Sequence, residues 1–195
     1  MTFRQFFFIP VFIAVLATTL VMLAKPSPLV IPFVWTWISF QAWAMYFLGG
    51  CTVKGGVKVM LGYFGGAAAS VAIFELMALL MDPVGLGAAA ALAIAVFIVV
   101  IGVISAERLP GFDFVPSWFI GAGVFFGVMS IHTGWEWTSD CPRTQQWLHY
   151  LEAGTYLMVS CFVGQIYGWV TVLIRGKYEG WIKSKHPELG AAERE

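Results

Sequence analysis

Six stretches of about twenty mostly apolar residues, separated by short polar breaks, constrain this chain more than any other feature. An α-helix needs about that length to cross roughly 30 Å of hydrocarbon. In lipid the backbone amides have no water to bond, so such stretches must be helical. Composition agrees: 11% of the 195 residues are charged and 59% are hydrophobic, with a mean hydropathy of +0.82. A soluble domain carries roughly 25% charged residues to solvate its surface. The sequence therefore predicts an all-α fold, a polytopic integral membrane bundle of six transmembrane helices embedded in the lipid bilayer.

The expected spans run from about Phe6 to Ala24, Val30 to Gly49, Val57 to Met81, Leu86 to Ser105, Pro116 to Ile131 and His149 to Ile174. Asp82-Pro83 ends the third, because proline cannot continue a helix. Pro116 suits a first helical turn. The first run follows Arg4 in the manner of a signal peptide, but it is long and no small-x-small cleavage site follows it, so it is expected to be a retained helix. Residues 1–174 form the transmembrane domain. Residues 175–195, charged and containing Pro187 and Gly190, form a cytoplasmic tail with a short interfacial helix.

Orientation follows from the eleven Lys and Arg residues. Arg4, Lys54, Lys58, Arg108, Arg175, Lys177, Lys183, Lys185 and Arg194 fall on one side of the six-span arrangement, and only Lys25 and Arg143 on the other. Nine against two predicts that both ends are cytoplasmic. The net charge of zero gives no support for a nucleic-acid partner. Cys51, Cys141 and Cys161 are too few and too far separated by topology to make a disulfide framework. No inverted repeat relates the two halves.

Three features carry the functional expectations. Glycines recur in the second, third and fifth spans. Gly66 with Ser70, and Gly123 with Gly127, are small-xxx-small pairs that let helix backbones approach, or let a homo-oligomer or a partner membrane subunit dock. Glu75 stands alone in an apolar run, about 10 Å in from Asp82 along the helix. A carboxylate there costs on the order of 2–3 kcal/mol unless it is paired, hydrated or protonated, which points either to a structural hydrogen bond or to a solute path. The outer loop holds His132, Glu136, Asp140, Cys141, His149 and Glu152. These are metal-ligand types, but in a spacing that matches no zinc or copper motif, so neither a metal nor any other cofactor is expected. Trp135, Trp137 and Trp147 suit interfacial anchoring. In the second span Phe33, Trp37, Phe40 and Phe47 are spaced for one face, with Trp35 and Trp43 on others. They read as lipid-facing bulk or as an aromatic pore wall.

Phosphate-cradling, nucleophile-elbow and zinc-protease motifs are missing. The stretches Phe47-Leu-Gly-Gly-Cys51-Thr-Val-Lys54-Gly-Gly-Val-Lys58, Phe114-Val-Pro116-Ser-Trp-Phe119-Ile-Gly121-Ala and Gly164-Gln-Ile-Tyr167-Gly168 resemble the uncharacterised bacterial inner-membrane family typified by YcdZ. That resemblance implies fold and location and no activity. The first expectation for function is thus a channel or carrier for a small neutral or cationic solute, using Glu75, Glu152, His149, Glu136 and His132. A membrane-bound metal-handling protein or enzyme built on residues 132–152 is the second, and an accessory subunit of a membrane complex the third.

Overall fold

The computed structural model describes residues 3–24, 31–132 and 143–185, and every regular element among them is helical. In chain order these are α1 (Phe3–Phe6), α2 (Phe8–Leu23), α3 (Thr36–Leu48), α4 (Val53–Met81), α5 (Ala88–Ser105), a 3-10 turn (Ala106–Arg108), α6 (Val115–His132) and α7 (Arg143–Lys185). Three helical stretches, Val53–Met81, Ala88–Arg108 and Thr144–Lys185, are long and apolar enough to cross a membrane, while Phe8–Leu23 and Val115–Ile131 are apolar but shorter. On α5 Phe97, Ile98 and Ile101 are all at least half exposed. A helix that is apolar all round yet barely buried belongs against lipid rather than water.

Helix α4 forms the centre of the bundle, packing on α5, α6 and α7. Two of the helix pairs approach closely. In the α4–α6 pair, a Cβ built on Gly66 would lie 2.3 Å from the Trp118 carbonyl oxygen, and one on Gly121 would lie 2.6 Å from the Cα of Tyr63. In the α3–α7 pair, a Cβ on Gly164 would lie 2.4 Å from the Ser39 carbonyl oxygen, and one on Gly168 would lie 2.5 Å from the Tyr46 side chain. Small residues are required at all four positions because backbone, or at Gly168 the inner atoms of the Tyr46 side chain, sits where a side chain would go. Between these pairs lies a continuous core that includes Ile38, Val59, Tyr63, Phe125, Val128 and Leu157.

The α3–α4 connection explains one of the glycine-rich stretches. Gly50 adopts φ +92° after α3, while Cys51 N–H donates to the Tyr46 carbonyl and Gly50 N–H to the Phe47 carbonyl. This is a Schellman stop that only glycine makes without strain. Thr52 then caps α4 by accepting a 3.0 Å bond from Gly55 N–H.

Three boundaries differ from the sequence expectation, one of them the start of α7, at Arg143 rather than His149. Helix α3 begins at Thr36 rather than Val30, because Phe33 takes φ 64° and the backbone leaves the helical region. Ser160 of α7 satisfies the free ends there, accepting from Trp35 N–H at 2.9 Å and donating to the Phe33 carbonyl at 3.2 Å. Helix α7 runs on without a break past Arg175 to Lys185, and Ile182 in that extension is buried. The Tyr178 hydroxyl donates to the Gln5 carbonyl at 2.8 Å and its ring packs on Phe8, tying the start of α2 to this end of α7. The basic residues Lys54, Lys58, Arg108, Arg175, Lys177, Lys183 and Lys185 consequently gather at one end of the bundle, opposite the end where α7 starts.

Candidate functional site

The glycines of α4, α6 and α7 bring buried polar side chains together in the bundle. Gln165 lies on α7 at the junction with α3 and α4. Its Nε2 donates to the Ala42 carbonyl of α3 at 2.6 Å, and a Cβ on Gly56 of α4 would lie 3.1 Å from its Oε1. That oxygen is buried and accepts no hydrogen bond from the described residues. Gly56 thus passes close against an acceptor that takes no hydrogen bond from the described residues.

Tyr63 of α4 is fully buried, and its hydroxyl has no partner among the described residues. It belongs to the same buried core as Cys161 of α7. Cys161 is itself fully buried, in keeping with a packing role. On the far side of α3, Trp43 is 5% exposed and its indole N–H is likewise without a partner. Its ring faces Tyr167, whose hydroxyl meets the Thr19 hydroxyl of α2 at 3.1 Å. One tier away Ser39 donates to the Ser160 carbonyl at 3.0 Å, within the same α3–α7 contact.

The depth of this seam follows from helix rise. Lys54 to Tyr63 spans about 14 Å of α4, and Gln165 to Arg175 about 15 Å of α7. Tyr63 thus lies about 14 Å of helix in from Lys54, whereas Gln165 Oε1, beside Gly56, lies at the first turn of α4 next to the basic end of the bundle. A buried polar atom without a hydrogen bond costs about 1–3 kcal/mol, and more where no water reaches it. The α3–α4–α7 junction holds such atoms on two helices, a pattern that suits transient occupation by water or by another hydrogen-bonding molecule.

The residues singled out by charge lie elsewhere. Glu75 is half-buried on α4, about 26 Å of helix beyond Lys58, and so falls toward the opposite end of the bundle. Its neighbour Phe74 stacks on Tyr150 of α7 at 5.8 Å, which sets Glu75 on the same tier as His149 and Glu152. Those two are half-buried and one helical turn apart. Glu136, Asp140, Cys141, Trp135 and Trp137 lie outside the described residues, as does the side chain of His132. Among the described residues no group of three or more His, Cys, Asp and Glu side chains is clustered for a metal. Below Glu75, Phe64, Ala68 and Val71 border an apolar groove of 490 Å³ against α7, floored by Phe125 and Tyr150.

The aromatic face of α3 divides. Phe33, Trp37, Phe40 and Phe47 are exposed, as bulk facing lipid would be, and Trp43 is buried. The glycine pairs also divide. Gly66 and Ser70 are buried in the α4–α6 contact, with the Ser70 hydroxyl donating to the Gly66 carbonyl at 2.9 Å. A Cβ on Gly123 meets nothing within 4 Å, and one on Gly127 meets only the Trp37 ring at 3.6 Å. The pair Gly164 and Gly168, with the same small-xxx-small spacing, is in close contact instead.

The family described as "protein of unknown function (DUF1097)" matches residues 9–176, and the chain belongs to that family. No curated protein and no solved structure matches it. The glycine-bearing stretches at the α3–α4 turn, the α4–α6 contact and the α3–α7 contact are places where helices must come close, which gives their small residues a packing role.

Proposed function

We propose that this member of the family is a six-span inner-membrane protein with both ends cytoplasmic, and that it passes a small neutral or cationic solute along the α3–α4–α7 seam. The unpartnered Gln165 Oε1 carries this reading, with the buried Tyr63 hydroxyl beside the same core. A polar group placed in a membrane interior only to join helices is expected to bond its neighbour. These two leave hydrogen-bonding capacity open along the seam, Gln165 beside the basic end and Tyr63 about two turns of α4 further in, where a solute shedding its water needs substitutes for it. The gathering of basic residues at one end of the bundle supports the orientation. Glu75, His149 and Glu152 form a tier at the opposite end, where two carboxylates would favour neutral or cationic solutes over anions.

Proteoliposomes loaded with protein and challenged with a panel of small solutes, such as glycerol, urea and methylammonium, test the reading. Flux above that of protein-free vesicles is expected for at least one of them. Tyr63→Phe and Gln165→Leu should lower that flux several-fold while leaving the thermal midpoint in detergent within a few degrees. Glu75→Gln should reduce flux of the cation more than of the neutral solutes. Wild-type vesicles no faster than empty ones for every solute, or variants that conduct normally, would refute the proposal.

A further inference from the structure

The basic end of the bundle contains a groove with a more specific chemistry than scattered positive charge. It has a volume of 630 Å³ and lies between the first turns of α4 and the chain linking α5 to α6. Lys54, Lys58 and Arg108 line it, with Glu107 and Asp113 as counter-charges. Lys58 is committed, its Nζ lying 2.5 Å from Asp113 Oδ2. Lys54 and Arg108 are exposed and hold no hydrogen bond or close ion pair among the described residues.

The wall of the groove is firmly held. Gly111 takes φ +90°, and a Cβ there would sit 3.1 Å from the Leu61 side chain of α4. Trp118 Nε1 of α6 donates to the Phe112 carbonyl at 3.2 Å, and the Lys58–Asp113 pair ties the same segment to α4. Around the cations, Val53, Val57 and Leu109 are each more than half exposed. The outer surface of α5 continues from there through Ile104 and Ile101, also exposed. Free cations beside exposed aliphatic side chains, at one end of two helices long enough to span a bilayer, suit an anionic headgroup with acyl chains attached. A soluble anion would use the cations and leave the aliphatic surface bare.

We infer that this groove is a binding site for an acidic phospholipid, its phosphate held by Lys54 and Arg108 and its acyl chains lying over Val57, Leu109 and the exposed face of α5. Basic pockets between helices at the cytoplasmic edge are suited to such headgroups. The site requires that α4 and α5 cross a membrane, but not that the protein transports anything. Asp113 competes with the lipid phosphate for Lys58, so the site is set below its full capacity for negative charge.

The test uses the full chain, purified in a mild detergent and stripped of lipid, titrated with short-chain phosphatidylglycerol or phosphatidylcholine and read by tryptophan fluorescence and native mass spectrometry. Phosphatidylglycerol should bind at least tenfold tighter than phosphatidylcholine, and glycerol phosphate at the same concentration should have no effect. Lys54→Gln with Arg108→Gln should abolish most of that preference, while Lys183→Gln with Lys185→Gln, the same loss of charge at the end of α7, should keep it. Asp113→Asn frees Lys58 and should tighten phosphatidylglycerol binding several-fold. The inference is overturned by an absence of headgroup preference, by equal loss in the α7 control, by glycerol phosphate binding as tightly as the lipid, or by Asp113→Asn weakening binding. Flux measurements on the same variants keep it separate from the transport reading. Lipid binding can fail while flux survives, and the reverse.

Discussion

Replacing Gly66 by alanine adds one methyl group where the α4–α6 contact has no room for it. The new Cβ would stand 2.3 Å from the Trp118 carbonyl oxygen, 2.5 Å from the Ala122 nitrogen and 2.9 Å from the Gly121 carbonyl carbon. All three are backbone atoms of α6, so no side chain can rotate away. Restoring ordinary contact distances moves the helices apart by about 1 Å, and a gap of that size forfeits a quarter to a half of each dispersion contact across the seam. The separation also stretches the bond from the Ser70 hydroxyl to the Ala122 carbonyl, already 3.4 Å long. Overpacking of this kind costs about 1–3 kcal/mol, and the rigid neighbours place Gly66→Ala at the upper end. Gly123 on α6 supplies the contrast, since a Cβ there meets nothing within 4 Å. Gly123→Ala should be neutral or stabilising by up to about 1 kcal/mol through helix propensity. Unfolding of both variants by denaturing detergent in mixed micelles, followed by circular dichroism, measures the difference. Equal stability of the two, or a Gly123→Ala loss as large as that of Gly66→Ala, would refute the assignment of the packed face.

Ser160→Ala removes the partner of both Trp35 N–H and the Phe33 carbonyl, and should cost about 1–3 kcal/mol in the same unfolding assay. An unchanged midpoint would mean that α3 does not depend on α7 for its start. The Lys58 ammonium bonded to Asp113 holds that carboxyl below the usual carboxylate range, with Lys54 adding to the effect and Glu107 and Arg108 on the same groove. Since the folded value is depressed, the pair contributes above the ordinary unfolded range near pH 4 and is lost as pH falls through the folded value. Wild type should therefore exceed Asp113→Asn in thermal midpoint at pH 7, and the gap should narrow as pH falls below about 4. A gap that is unchanged or wider at acid pH would contradict the assignment.

The helical fold is legible because lipid removes alternatives. Once an apolar stretch is long enough to span, only a helix satisfies its backbone, and α2, α4, α5 and α6 begin and end within a few residues of expectation. The departures have local causes. Helix α3 starts late because Phe33 has positive φ and Ser160, far away in sequence, supplies the cap. Helix α7 is longer than its apolar stretch because Ile182 and Tyr178 still bury or bond against neighbours after the charge pattern turns polar. Small-xxx-small spacing names glycines able to pack, not the face that has a partner. Thus Gly123 and Gly127 look equivalent to Gly164 and Gly168 in sequence, and only the second pair is in close contact. A full charge in an apolar run is conspicuous, which drew the sequence reading to Glu75. Gln165 gave a quieter signal, an amide flanked by two small-residue positions four apart. Its open acceptor became visible only when α3 and α4 were placed beside it.

The central claim is that water and solute reach Gln165 through a seam that is otherwise packed. Thiol accessibility measures this directly. In a chain carrying Cys51→Ser, Cys141→Ser and Cys161→Ala, Gln165→Cys is compared with Val128→Cys, a fully buried apolar position of the core. Both are exposed in native membranes to a small water-soluble thiol reagent. The account predicts that Gln165→Cys reacts, that a permeant solute slows the reaction, and that Val128→Cys stays unmodified. Gln165→Cys as inert as Val128→Cys would contradict it.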